Sequence, residues 1–195
     1  MPRKGVEAER RETLIRAAIE AVDAGGSLEV TVAEIARRAD VSPALAHHYF
    51  GGKEDLMLAA MRHILDDYRA GVTKRLAGSA TPRERISAII EGSFEPAQFA
   101  SSAVTAWLAF YLHARRSPEA ARLLTVYFGR LESNLVDALV ALVGRARARP
   151  IAAAAGAMID GVWLRQALTN SRGPDREAAI AALERFIDGE IHADH

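Results

Sequence analysis

Residues 31–50 read TVAEIARRADVSPALAHHYF. Thr31 followed three residues later by Glu34 is a capping box, so a helix starts there. Val32, Ile35, Ala36 and Ala39 make one apolar stripe at helical spacing. That helix is short and ends near Asp40. Ser42 is a natural N-cap and Pro43 suits the first helical position, where its missing N–H costs nothing. A second short helix therefore runs to Gly51-Gly52. Two short helices joined by a tight turn at Asp40-Val41-Ser42 are a helix-turn-helix. In that motif the second helix enters the DNA major groove while the first crosses the backbone. It needs buried inner faces, expected from Val32, Ile35, Ala36, Ala39, Val41, Ala46 and Phe50. It also needs an outer face free of acids. Val41 to Lys53 contains no Asp or Glu, and Arg37, Arg38 and Lys53 border it.

Outward from this stretch the chain reads as helix after helix. Leu14, Ile15, Ala18, Ile19 and Val22 predict a first helix stopped at Gly25-Gly26. A long helix is predicted from about Lys53 into the seventies, with Leu56, Ala60, Ile64 and Tyr68 inward. Thr81-Pro82-Arg83-Glu84 and Ser117-Pro118-Glu119 begin two more. An aromatic helix lies at about 100–115, a long one at about 118–144, and an apolar one at 150–170 that should be buried on more than one side. Asn170 to Gly173 ends that helix and Pro174 opens a last one with Ala179, Leu183, Phe186 and Ile187 on one face. Alanine, the strongest helix former, supplies 39 of 195 residues, which points the same way. The expectation is an all-α fold of about nine helices. It comprises an N-terminal three-helix bundle at 1–52 and a larger ligand-binding and dimerisation domain at 53–195, with the helix at about 53–78 connecting them.

Composition narrows the function. With no cysteine, disulfides, thiolate metal sites and thiol nucleophiles are excluded. No apolar run approaches a membrane span of ~18–20 residues, and the start MPRKGVEAERRE lacks a signal-peptide core, so the expected location is the cytoplasm. There is no HExxH, no GxSxG and no phosphate-binding glycine loop, so no enzyme, metal or cofactor is expected. His192, Asp194 and His195 lie close together but read as a frayed end. Arg115-Arg116 and Arg145, Arg147 and Arg149 read as solvated helix ends. The 25 basic and 25 acidic residues cancel, and residues 1–75 hold 12 of each. Attraction to DNA must therefore come from arrangement rather than bulk charge, with Arg3 and Lys4 on a possible arm. Non-specific DNA affinity should be weak.

TVAEIARRADVSPALAHHYFGGKEDL resembles the DNA-binding segment of the TetR family of repressors. The likeness lies in its capped Thr, Ile-Ala pair, Val-Ser turn, aromatic-rich recognition helix and Lys followed by an acid and Leu. MPRKGVEAERRETLIRAAIEAV, SSAVTAWLAFYLHA and MIDGVWLRQAL are similar to a choline-responsive branch of that family, which represses glycine betaine synthesis genes. The resemblance implies a repressor that binds double-stranded operator DNA and answers a small effector. Thr31, Ser42, Tyr49 and Lys53 are candidates for phosphate contacts, with Arg37 and Arg38 beside them. Pro43, Ala44, Leu45 and His47, next to His48, would face base edges. Ala or Pro suits thymine methyls, and His47 can donate to a base acceptor. Many family members have Tyr where this chain has His47, and Ala44 and Ala46 are small, so the operator does not carry over. The resemblance also implies a homodimer through helices at about 150–170 and 175–191.

Nine of the 12 aromatic residues follow residue 90. Trp107, Phe110 and Tyr111 share one helical face. Trp163 stands three residues after Asp160, so both can point into one space. Ring faces with a carboxylate suit a quaternary ammonium, through cation–π attraction of roughly 0.5–2 kcal/mol per ring. That agrees with the choline the resemblance implies. The same aromatics also fit plain core packing. A different ligand, such as a drug or lipid, and an all-α enzyme or adaptor stay open on the residues alone. Gly161 inside a helix costs ~1 kcal/mol relative to Ala and needs a reason, such as close packing at a dimer axis.

Overall fold

The computed structural model describes residues 3–168 and 174–193. Among these are eight α-helices, one 3-10 turn and no strand. Helix α1 is Arg3–Gly25, α2 Val32–Arg38, α3 Pro43–Phe50, α4 Lys53–Leu76 and α5 Pro82–Ser93. The 3-10 turn Pro96–Phe99 precedes α6 (Ser101–Ala114), α7 (Pro118–Leu168) and α8 (Arg176–His192). Helix α7 is broken at Gly144, whose backbone has φ 76° and ψ 163°. Only glycine adopts that conformation readily, so it divides α7 into two helical segments.

Residues 1–66 and 100–124 form one compact unit. Its core contains Leu14, Ala18, Val22, Ile35, Ala36, Leu56, Met57, Met61, Trp107 and Phe110. Helix α1 packs on both α2 and α6. Asp23 ties the start of α6 to α1, accepting from Ser101 Oγ at 2.9 Å and Thr105 Oγ1 at 2.8 Å. A carboxylate there also suits the positive end of the α6 dipole. At the far end of α6, His113 Nε2 lies 3.0 Å from Glu54 Oε1.

Residues 67–99 and 125–195 form the second unit. Ile86, Ile89, Ile90, Phe94, Leu135, Leu139, Ile159, Leu183 and Ile187 are its buried centre. Gly92 lets α5 approach α4 closely: a Cβ there would lie 2.9 Å from Val72 Cγ2 and 3.1 Å from its Cα. Polar ties frame this core. Arg83 pairs with Glu184 and Asp188, Arg75 with Glu91 and Glu95, and Arg176 Nε donates to Phe94 O at 2.7 Å.

Three expectations change. The helix expected from 150 begins directly after Gly144 and carries Pro150 within it. Helix α8 starts at Arg176, capped by Asp175, whose carboxylate accepts from Ala178 N at 2.9 Å. The segment 150–168 is not buried all round. Ala153, Ala154, Ala157, Gly161, Leu164 and Leu168 form an exposed stripe at helical spacing, opposite buried Ile151, Ala155, Ile159 and Trp163. The helix end expected at Asn170 to Gly173 and the tail residues Asp194 and His195 lie outside the described residues, as do the side chains of Arg3 and Lys4.

Candidate DNA interface and ligand site

Helix α2 starts where the sequence requires. Thr31 Oγ1 accepts from Glu34 N at 3.2 Å, and Glu34 Oε2 accepts from Thr31 N at 2.7 Å and from the Thr31 hydroxyl at 2.9 Å. These bonds hold the Glu34 carboxyl below its ordinary pKa. Because Thr31 spends both donors on Glu34, a phosphate would reach its hydroxyl only by displacing that carboxylate.

The turn is made by Asp40 in the left-handed region, φ 52°, which a short polar side chain tolerates better than a branched one. Its geometry lets Val41 N donate back to Ala36 O at 3.0 Å. Ser42 Oγ then caps α3 by accepting from Leu45 N at 3.2 Å. Ile35, Ala36, Ala39, Ala46 and Phe50 point inward and are buried, while Val32 and Val41 are half-buried.

The outer surface carries Arg37, Arg38, Ser42, Pro43, Ala44, His47, His48 and Lys53, all exposed, as is Thr31. Leu45 and Tyr49 are half-buried beside them. His47 Nδ1 lies 3.1 Å from Gly51 O, and the His48 and Tyr49 rings are 5.5 Å apart. Arg11 supports this helix from behind: its guanidinium donates to Tyr49 O at 2.6 Å and lies 4.6 Å from the Phe50 ring centroid. Nothing local marks Arg11 for that role, since its partners are 38 and 39 positions along the chain.

The five aromatic and acidic candidates for a ligand fall into two groups. Trp107, Phe110 and Tyr111 belong to the first unit; Trp107 and Phe110 are buried, and the Trp107 and Tyr111 rings are 5.7 Å apart. Asp160 and Trp163 belong to the second. There Tyr127 Oη donates to Asp160 Oδ1 at 3.3 Å, and Trp163 Nε1 donates to Gln98 O at 3.1 Å. The Tyr127 ring meets Tyr68 edge-on with centroids 5.2 Å apart. Ser93 Oγ donates to Ile89 O at 2.8 Å, so the Tyr68 hydroxyl must donate to Ser93 at 2.9 Å.

Burial sets the electrostatics of this group. It pushes the Tyr68 hydroxyl up to about 12, and it pushes the Asp160 carboxyl up to about 6 against the opposing bond from Tyr127. Asp160 also lines a cleft of about 230 Å³ with Phe128, Glu132, Ala153, Gly156 and Ala157. A cleft lined by a carboxylate that burial makes costly to ionise, a second carboxylate and the Phe128 ring can stabilise a cation. Tyr127 was not singled out in the sequence because it lies 33 residues from Asp160. No metal-binding group of His, Asp or Glu occurs among the described residues.

Comparison with known proteins places the chain in a family. Residues 14–60 match the model for bacterial regulatory proteins of the tetR family, and residues 82–192 match that of the BetI-type transcriptional repressor C-terminal domain. An HTH-type transcriptional regulator BetI of Brucella suis is 52% identical over 96% of this chain and 94% of its own. A TetR transcription regulator from Haloarcula marismortui shares the fold at TM-score 0.83, with 16% identity over 93% of this chain and 98% of that one. A putative transcriptional regulator from Saccharomonospora viridis, solved in complex with choline, matches at TM-score 0.78, with 22% identity over 93% and 96%. The chain belongs to the TetR family of bacterial regulatory proteins, with the C-terminal domain of its BetI-type repressors. It is a DNA-binding transcriptional repressor, and its helix-turn-helix is α2 and α3. No helix among the described residues is long and apolar enough to cross a membrane.

Proposed function

We propose that this repressor acts as a cytoplasmic homodimer whose operator affinity is set by choline or a related quaternary ammonium ion. Residues 1–52 contact DNA and residues 53–195 carry ligand and dimer functions. The observation that carries the ligand reading is Asp160: a half-buried carboxyl, unfavourable when ionised, hydrogen-bonded to Tyr127 and three residues from Trp163. A quaternary ammonium group, which has no N–H to donate, relieves that ionised carboxyl and loses little hydration on entry. The choline complex of the Saccharomonospora regulator supports the same ligand class. The Trp107–Tyr111 pair of the first unit is a separate aromatic candidate, tested by its own substitution.

The homodimer reading is supported by the exposed stripe on α7. A Cβ on Gly161 would meet nothing within 4 Å, so no contact among the described residues explains a glycine there. Leu168 is 61% exposed on the same stripe. A partner helix laid along Ala153, Ala157, Gly161 and Leu164 accounts for both. A two-fold dimer is also what two major-groove half-sites ~34–36 Å apart require.

The test is thermal stability against choline, betaine aldehyde and a neutral isostere of choline. Stabilisation by the cations alone supports a cation site; equal stabilisation by the neutral isostere refutes it.

A further inference from the structure

Helix α3 ends in an arrangement that bears on what it reads. Gly51 has φ 75° and ψ −52°, a left-handed backbone that turns its carbonyl back toward the helix. Gly51 N donates to His47 O at 2.7 Å, and Gly51 O lies 3.1 Å from His47 Nδ1. A carbonyl oxygen only accepts, so the hydrogen of that second bond sits on Nδ1. A neutral imidazole has one N–H. Its Nε2 is then a bare acceptor, on a side chain exposed on the outer face with Pro43 and Ala44.

We propose that His47 is a specificity-determining residue whose Nε2 accepts from a base-edge amino group, adenine N6 or cytosine N4. In the major groove these two are the donors, whereas guanine O6 and N7, adenine N7 and thymine O4 are acceptors. A neutral His47 so held repels an acceptor placed opposite it. This is opposite in sense to the donor role the bare sequence suggests, and the difference comes from Gly51. The inference rests on α3 being the helix that reads the operator.

Two measurements test it on the full-length protein at pH 8, where an imidazole is neutral. The first is the long-range ¹H–¹⁵N spectrum of the histidine rings, with His47 assigned by the signals lost in His47→Asn. The expected result is hydrogen on Nδ1; hydrogen on Nε2 overturns the proposal. The second begins with selection of operators from randomised duplexes by the wild type and by His47→Ala. One base pair per half-site should lose its preference in the variant. At that pair, removing the amino group (purine for adenine, pyrimidin-2-one for cytosine) should weaken wild-type binding about five-fold, the effect of one hydrogen bond. The same analogue should leave His47→Ala unchanged. A 7-deaza purine, which removes an acceptor instead, should not matter. The proposal falls if the 7-deaza base weakens binding and the amino deletion does not, or if no pair relaxes in His47→Ala. Lys53→Ala separates the two levels: if it also leaves DNA affinity unchanged, the reading of α3 as the operator helix fails as well.

Discussion

Tyr127 donates its hydroxyl to Asp160 Oδ1 at 3.3 Å, joining two positions 33 residues apart within the second unit. That single bond opposes, without cancelling, the burial that pushes the Asp160 carboxyl up to about 6. A carboxylate held this way is predisposed toward a cation.

The first prediction concerns pH. Choline favours the ionised carboxyl, so its binding releases a proton wherever Asp160 is protonated in the free protein. Affinity should rise from pH 5 to pH 7 and level off above. Isothermal titration in buffers of different ionisation heat measures both affinity and proton release. Asp160→Asn should abolish the pH dependence and weaken choline at least ten-fold at pH 7.5.

Stability carries the opposite sign. The folded carboxyl, at about 6, binds its proton more tightly than an unfolded aspartate at 3.8. Stability contributed by this group is therefore present below 3.8, lost as pH rises through 6, and absent at pH 7. In the absence of ligand, Asp160→Asn should raise Tm at pH 7.5 and change it little at pH 4. A lowered Tm at pH 7.5 would show that the ionised carboxylate is already satisfied.

Gly92→Ala should destabilise the protein. The added methyl would meet Val72 at 2.9 Å, and the Val72 Cα at 3.1 Å leaves little room to yield. Overpacking of this kind costs ~1–3 kcal/mol. A fall of several degrees in Tm by calorimetry is expected. Gly161→Ala, where a Cβ meets nothing among the described residues, should gain the ~1 kcal/mol helix preference of alanine within the chain, so any loss of stability comes through the dimer.

Leu164→Glu places a charge on the exposed α7 stripe. A monomer is expected by light scattering, with affinity lost for a two-half-site operator and the helical circular dichroism retained. An unchanged dimer would exclude this stripe as the interface.

Much of this architecture was legible in the sequence because it is written locally. The capping boxes at Thr31 and Thr81, the caps at Ser42 and Ser117, and the stop at Gly25-Gly26 are signals spanning three or four residues, and each stands where expected. The inner face of the helix-turn-helix was legible for the same reason. Long-range partnerships were not. Arg11 beneath Tyr49, Tyr127 on Asp160 and Gly92 against Val72 depend on how helices meet. The segment 150–168 misled because its alanines suit burial and an exposed small-residue stripe equally well. The start expected at 150 misled because the chain re-enters helix directly after Gly144, several residues before Pro150.

Lys53→Ala removes an exposed cation at the edge of the acid-free surface. It should weaken all DNA sequences alike and reduce the slope of log affinity against log salt by about 2, one phosphate contact from each protomer of the dimer. Anisotropy titrations between 50 and 200 mM salt measure both. A sequence-dependent loss would move Lys53 from phosphate to base contact.

The central claim is that one protein couples operator DNA to a quaternary ammonium ion. The direct measurement is operator affinity, by fluorescence anisotropy at pH 7.5, with and without saturating choline. A change of 5–150-fold is predicted, the range of ordinary allosteric coupling, and it should vanish in Asp160→Asn. An operator affinity that saturating choline leaves unchanged in the wild type would contradict the account.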